Sequence, residues 1–281
     1  MSWTFFQGNW HEGNPKIIGP RSQAMWLAST VFDGARAFEN TTPDIAAHAA
    51  RCVRSAQAMG LEPTKTSEEI QELAIKAVAK FPKNSELYIR PMFWAEKGGA
   101  VPDPESTEFA LCVYEDPLPP ANGFSATLSS IRRPLPDTML TGAKAACLYP
   151  AISRPLAEAR HAGFDSLVVL DPWNNLAEFA TSNLFLVRDG TVFTPKANES
   201  YLNGITRQRI IKLMIEDAIP VIETILNFQD LEQADEAFSS GNHGKIQPLT
   251  RLNNKKYPIG KIFRRARQLY WDFAHNKRQS L

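Results

Sequence analysis

The stretch Glu115 to Gly123, EDPLPPANG, constrains this chain more than any other segment. It holds three prolines and a glycine within nine residues. Proline lacks the N–H that a helix interior or a central strand uses, so neither element can run through it. The chain is therefore expected to divide there, into a smaller N-terminal domain over residues 1–116, a linker over 117–123 and a larger C-terminal domain over 124–281. At ~100–200 residues per domain, each part is long enough to bury a core of its own.

Hydrophobic periodicity fills in the two parts. The first residues alternate aromatic and polar around Gly8 and Gly13, which reads as a hairpin. A helix is expected from about Pro43 to Met59, with Thr42 as its cap, Pro43 in its first position and Gly60 at its exit. A second runs from about Ser67 to Phe81, with Ile70, Leu73, Ala74, Ala77, Val78 and Phe81 on one face. Strands are expected at Leu87–Trp94, Phe109–Tyr114, Ser125–Ile131 and Ser166–Asp171, with a helix over Ala151–Ala162. Asp189-Gly190, between Leu184–Val187 and Thr191–Thr194, is the strongest short hairpin signal in the chain. Helices near Thr206 and over Ile262–Ala274 complete the pattern. Strand groups and helices alternate without regular βαβ units, so two α+β domains are favoured over a doubly wound sheet.

Composition excludes several classes of function. The 31 basic residues nearly cancel the 30 acidic ones, so no long-range field calls for nucleic acid or an anionic membrane. No run approaches the ~20 apolar residues that span a bilayer. Cys52, Cys112 and Cys147 are too few and too scattered for a disulfide framework or a zinc site, and the five histidines lack metal-ligand spacing. A reduced, cytoplasmic protein is the expectation.

Several residues could carry chemistry, each with an ordinary alternative. Lys144 lies in Thr141-Gly-Ala-Lys-Ala-Ala-Cys147, small apolar neighbours that would desolvate an ammonium. The neutral amine is the form that attacks an aldehyde. Taken alone, the window suits better a lysine reaching to solvent from an edge segment. Glu178 precedes an apolar strand; at the surface it needs no explanation, whereas buried it requires a cationic partner, which a protonated pyridine nitrogen would supply. Asn203-Gly-Ile-Thr-Arg207 enters a helix with free backbone N–H groups, either as a plain cap or as a phosphate cradle. Arg51, midway along the first helix, reads alone as a solvated charge.

The order of the pieces reduces these alternatives. From Lys144 onward the chain resembles the class IV aminotransferases. The resemblance runs through Ala143-Lys144-Ala145, Tyr149, Glu158-Ala159-Arg160 and Gly163-Phe164-Asp165. It continues through Leu170-Asp171, Ala177-Glu178, Ser182-Asn183-Leu184-Phe185 and Asp189-Gly190. Thr194-Pro195, Gly204-Ile205-Thr206-Arg207, Ala234-Asp235-Glu236 with Phe238, and Pro248 close it. The N-terminal half matches more loosely, through Val31-Phe32-Asp33-Gly34-Ala35-Arg36, His48 to Arg51, and Tyr88-Ile89-Arg90-Pro91. Tyr-Ile-Arg-Pro and the length make the branched-chain group the nearest relative.

This resemblance implies a fold-type IV enzyme of two α/β domains, with pyridoxal 5'-phosphate held where they meet. It implies that Lys144 is the Schiff-base lysine and moves the proton between substrate and cofactor. Glu178 would hold the pyridine nitrogen and Tyr149 the ring's 3'-oxygen. Arg51, Ile205 and Thr206 would hold the phosphate, with Asn242 in the Ser240-Gly241-Asn242 turn. Phe32, Arg36, Tyr88, Arg90 and His243 would line the substrate pocket. A homodimer is implied, the loop bearing Leu27 crossing to the partner. Two departures bear on substrate: Gly241-Asn242-His243-Gly244 replaces the family's Gly-Thr-Ala-Ala, and Leu27 replaces a tyrosine. They leave an (R)-selective amine or D-amino-acid transaminase, or an aminodeoxychorismate-lyase-like enzyme, as alternatives to a branched-chain transaminase. A protein that binds the cofactor without catalysis is a fourth reading.

Overall fold

The computed structural model describes residues 1–275. They form two units: Met1–Leu118 with Ala143–Tyr149, and Pro119–Gly142 with the described residues from Pro150 onward. Ala143–Tyr149 corrects the expected boundaries, which placed all of residues 124–281 in one domain. Ala143 and Ala145 are small enough to be buried in the first unit's core. Ala145 bridges to Val31, and Phe32 N donates to Lys144 O at 3.0 Å. The lysine is thus built into the N-terminal unit, although its sequence lies beyond the linker.

In the first unit, β1 (Ser2–Phe6) and β2 (Asn9–Glu12) form the expected hairpin. Its turn residues Gln7 and Gly8 have φ of 46° and 80°, the left-handed values a tight hairpin needs. After a short α1 (Gln23–Leu27) come β3 (Val31–Phe32) and β4 (Ala35–Ala37). Two helices follow, α2 (Ile45–Ala58) and α3 (Ser67–Val78), then β5 (Leu87–Ala95) and β6 (Thr107–Glu115). The sheet has six strands in the order β2-β1-β6-β5-β3, with β4 also on β5. The helices bury Ala49, Cys52, Ala56, Ile70 and Ala74 against Leu87, Ile89 and Val113 of the sheet.

The start of α2 differs from expectation. Thr42 does not cap it and Pro43 is not its first residue; the cap is Asp44, at φ 58° and without a side-chain cap bond. The cause lies upstream, where a tight turn pairs Phe38 with Thr41 and holds Thr42 and Pro43 outside the helix. At its exit, Gly60 takes φ 72°, as expected. Helix α3 begins with a capping box between Thr66 and Glu69.

The second unit is built on a nine-stranded sheet. Its strands are β7 (Phe124–Arg132), β8 (Ser166–Leu170), β9 (Leu176–Phe179), β10 (Ser182–Arg188) and β11 (Thr191–Pro195). Then come β12 (Val221–Thr224), β13 (Glu236–Gly241), β14 (Lys245–Leu252) and β15 (Lys255–Lys256). The order is β12-β11-β10-β13-β14-β7-β8-β9, and β9 pairs again with β10. The middle strands therefore close on themselves around Ala126, Val168, Phe179, Leu184 and Leu249. Asp189 and Gly190, at φ 49° and 74°, make the hairpin expected there. The helices are α4 (Tyr149–His161), α5 (Ile205–Glu216), α6 (Phe228–Gln233) and α7 (Lys261–His275). Among the described residues no helix is long and apolar enough to cross a membrane.

Candidate functional site

In the first unit, chemistry collects around Lys144. Its ammonium donates to the Tyr149 hydroxyl at 2.9 Å and lies 4.8 Å over the Phe32 ring. Phe32 and Tyr149 are themselves 5.3 Å apart, ring to ring. The backbone beneath the lysine is fixed at both ends. Its carbonyl accepts from Phe32, and its N–H donates to Ser55 Oγ at 3.1 Å.

Ser55 stands one helical turn beyond Arg51 on α2, so the two share a face. Arg51 Nε and Nη2 donate to the two oxygens of Asp33 at 2.6 and 2.9 Å, and His48 Nδ1 lies 2.7 Å from the same carboxylate. Asp33 is fully buried. Burial alone would raise its carboxyl, but Arg51 and His48 outweigh that and hold it well below the usual carboxylate range. Arg51 is likewise opposed by burial and kept charged by Asp33. One of its nitrogens, Nη1, is buried with no hydrogen-bond partner among the described residues. The clamp orients a cation and leaves a donor for an anion.

The second unit gathers a different set. Glu178 on β9 is buried, and β9 pairs with β10 so that Asn183 stands opposite it. Arg133 Nη2 lies 2.8 Å from Glu178 Oε1, and Asn183 Nδ2 donates to Oε2 at 3.4 Å. The cationic partner that a buried glutamate requires is thus partly supplied by the protein. A carboxylate has about four acceptor positions, so it can still take an N–H from a ligand. Asn183 also accepts from Gly204 N at 3.2 Å, which ties the glutamate to the start of α5. That helix has no side-chain cap at its N-terminus, where the N–H groups of Ile205 and Thr206 stand. Across β13 from Asn183 is Ser240, whose buried Oγ has no partner among the described residues.

The expected residues are distributed as follows. Lys144, Tyr149, Phe32 and Arg51 belong to the first unit, with Tyr88 and Arg90 on its sheet. Glu178, Ile205 and Thr206 belong to the second, as do Asn242 and His243. Arg36 departs from its expected place. Its side chain has no exposed surface and is paired with Asp116 at 3.0 Å, so it cannot touch a substrate. It stacks instead on Tyr88, at 5.4 Å. Asn242 accepts from the buried Lys245 at 2.9 Å, whereas His243 is exposed on a cavity of about 340 Å³. Asp33, Ser55, Arg133 and Asn183 were missed as site residues. Asp33 and Asn183 lay within the matching runs quoted above, Ser55 carried the spacing of four from Arg51, and Arg133 carried no signal.

In the first unit an arginine with an unused donor lies one helical turn from the serine that pins Lys144; in the second, a braced carboxylate lies beside an uncapped helix start. Comparison with known proteins identifies the family. The family described as Amino-transferase class IV matches residues 30–252. A branched-chain-amino-acid aminotransferase of Salmonella typhimurium is 30% identical over 283 residues, covering 96% of this chain and 92% of the relative. An aminotransferase from Brucella abortus, crystallised with the cofactor PLP, is 48% identical at a TM-score of 0.96, covering 98% of this chain and 99% of that one. The branched-chain aminotransferase of Escherichia coli superposes at a TM-score of 0.89 with 28% identity, covering 98% and 95%. The chain belongs to the class IV aminotransferase family. It is a transaminase dependent on pyridoxal phosphate, with the fold-type IV architecture expected from its sequence.

Proposed function

We propose that the chain transfers amino groups between L-amino acids with branched-chain-like side chains and 2-keto acids, with Lys144 as its catalytic residue. The observation that carries this is the Lys144 ammonium beside the Tyr149 hydroxyl at 2.9 Å, on a backbone pinned by Phe32 and Ser55. The residues fit pyridoxal phosphate. In the first unit, Arg51 Nη1 is a buried donor without a partner among the described residues; in the second, so is Ser240 Oγ, and the uncapped start of α5 adds backbone N–H groups. Such donors suit a phosphate. Arg51 is the first unit's candidate for this role; Ile205, Thr206 and Ser240, with Asn242 at the edge of its turn, are the second unit's. Tyr149 would hold the ring's 3'-oxygen and Glu178 its nitrogen.

When bound, the cofactor supplies an aldehyde that takes up the substrate amine and a ring that accepts the electrons left on Cα. Lys144 would hold the cofactor at that aldehyde and would move the proton at the substrate Cα. Tyr149 accepts a hydrogen bond from the lysine and fixes its direction. Glu178, braced by Arg133 and Asn183, would offer its carboxylate to the ring nitrogen. Phe32, Tyr88 and Arg90 face the substrate, and Arg90 takes the distal carboxylate of a dicarboxylic acceptor. His243 lies at the rim, and Arg36 acts through Tyr88. The working form is a homodimer, supported by three adjacent exposed apolar residues, Met25, Trp26 and Leu27. Three unpaired cysteines support a cytoplasmic setting.

The test is a panel of L-amino acids, D-amino acids and (R)-amines, with pyruvate and 2-oxoglutarate as acceptors, followed by chiral analysis. Branched L-amino acids are expected to lead. Preferential use of (R)-amines or D-amino acids would overturn the substrate reading, and Leu27 and the Asn242-His243 turn would then be the first residues to exchange. Lys144→Ala is expected to abolish turnover while the protein still binds the cofactor non-covalently. Near-normal turnover in that variant would sink the assignment of the lysine.

A further inference from the structure

The sheet of the first unit has one face in the core and one that carries charge. Along β5, Leu87, Ile89 and Pro91 are buried, while Tyr88, Arg90 and Met92 alternate onto the other face. Across the ladder, Tyr88 stands beside Arg36 of β4 and Tyr114 of β6, and Met92 stands beside Phe32. Phe32 carries the Lys144 ammonium over its ring. One sheet face thus leads from the reactive lysine to Arg90 and ends at Tyr114, a residue given no role so far.

We propose that Tyr114 is a specificity-determining residue: it positions Arg90 and joins it in receiving the distal carboxylate of a 2-keto dicarboxylic acid. This rests on the reading that Arg90 binds that carboxylate and goes one step beyond it. Arg90 Nη2 donates to the Tyr114 hydroxyl. The guanidinium carbon lies 5.0 Å from the Tyr88 ring centre and 5.2 Å from that of Tyr114. The two rings stack on each other at 5.5 Å, 15° from parallel. Stacked aromatics hold the plane of a guanidinium, and the phenol holds one of its edges.

Orientation decides how well a guanidinium takes a carboxylate, because the strong geometry uses two parallel N–H donors. Arg90 Nε is buried and has no hydrogen-bond partner among the described residues, so a donor stands ready for a ligand. Burial raises the Tyr114 phenol and Arg90 only partly offsets it, so the hydroxyl keeps its proton in the working range. Its oxygen accepts from Arg90, and its own hydrogen remains to be donated. A carboxylate arriving here meets an arginine N–H and a tyrosine O–H together. A monocarboxylic keto acid has nothing to place there.

The experiment compares kcat/KM for 2-oxoglutarate and pyruvate, with one good donor, in wild type, Tyr114→Phe, Arg90→Met and the double variant. Phenylalanine keeps the ring and removes only the hydroxyl. A hydrogen bond to a charged group typically carries about one decade, so Tyr114→Phe is expected to lose roughly tenfold on 2-oxoglutarate, mostly in KM, with pyruvate nearly unchanged. Because Tyr114 works with Arg90, the double variant should discriminate no worse than Arg90→Met alone. Inhibition by glutarate against butyrate gives the same comparison without turnover, and the gap should narrow in Tyr114→Phe. Equal losses on both acceptors, or independent losses that multiply in the double variant, would overturn the proposal. If Arg90→Met changes the acceptor ratio and Tyr114→Phe does not, the role of Tyr114 fails while the Arg90 reading stands. If Arg90→Met leaves the ratio unchanged, both fail.

Discussion

Glu178 shows how much a single side chain depends on neighbours far away in sequence. It is a buried carboxylate, made tolerable by Arg133 at 2.8 Å and by Asn183. Glu178→Gln keeps the shape and removes the charge, leaving Arg133 without its counter-ion. Breaking one side of a buried pair typically costs ~3–5 kcal/mol, and here less, because Arg133 retains some exposure. The variant should therefore melt lower yet remain folded. Its turnover should fall ~100-fold or more, the usual scale for losing a group that stabilises charge developing in the reaction. Cofactor affinity should change far less, since the phosphate donors are other residues. Deuterium wash-in at the substrate Cα under single-turnover conditions is the direct measurement, and exchange at the wild-type rate would refute the role. Lys144, Tyr149 and Glu178 were singled out from the sequence because they stand in family order along one stretch. Arg133 was not: beside Arg132 it reads as a solvated basic pair, and only the pairing of β7, β8 and β9 brings it to the glutamate. The role of Asp33 was hidden likewise, because its partners His48 and Arg51 lie on a separate helix.

At the scale of elements, the start of α5 is the most exacting piece of construction. A Cβ at Gly204 would lie 2.2 Å from Asn183 Oδ1. Asn183 cannot turn aside freely, because its amide bonds Leu202 O at 2.9 Å and reaches Glu178 as well. Gly204→Ala should therefore release Asn183, loosen the helix start and disturb the glutamate together. Losing one or two hydrogen bonds at ~0.5–1.5 kcal/mol each should weaken cofactor binding by roughly tenfold and lower the melting temperature by a few degrees. Cofactor titration by fluorescence quenching would check this, and an unchanged dissociation constant would remove Gly204 from the phosphate cradle. Elements of this local kind were largely legible. The α3 helix, the β10–β11 hairpin and the Gly60 exit each follow from residues within a few positions of one another. The start of α2 was misread because the Phe38–Thr41 turn governs it from upstream. The closed strand ring of the second unit was not legible, since β7 pairs with β14, more than a hundred residues later in the chain.

For the whole molecule, the feature that supports the proposed homodimer is the run Met25-Trp26-Leu27. These side chains are 67%, 55% and 43% exposed on a five-residue helix whose other side, through Ala24, is buried against Trp94. Single exposed apolar residues are ordinary, but three in succession with an indole among them make a patch. Covering such side chains contributes ~1.5–3 kcal/mol each, against an association cost of ~4–15 kcal/mol, so the patch anchors an interface and does not complete one. A stable dimer would recruit more surface, on the order of 800 Å² from each partner. Sedimentation velocity is expected to give about twice the chain mass of 31.4 kDa at assay concentration. Trp26→Glu places a charge in the middle of the patch and should shift the species toward monomer. If the dimer is the working form, specific activity should fall in proportion to the dimer remaining, and raising the protein concentration should restore both together. Circular dichroism separates this from unfolding, because a monomer with native helix content has lost only its partner. Wild-type protein that sediments as a monomer while keeping full specific activity on dilution would show that one chain suffices.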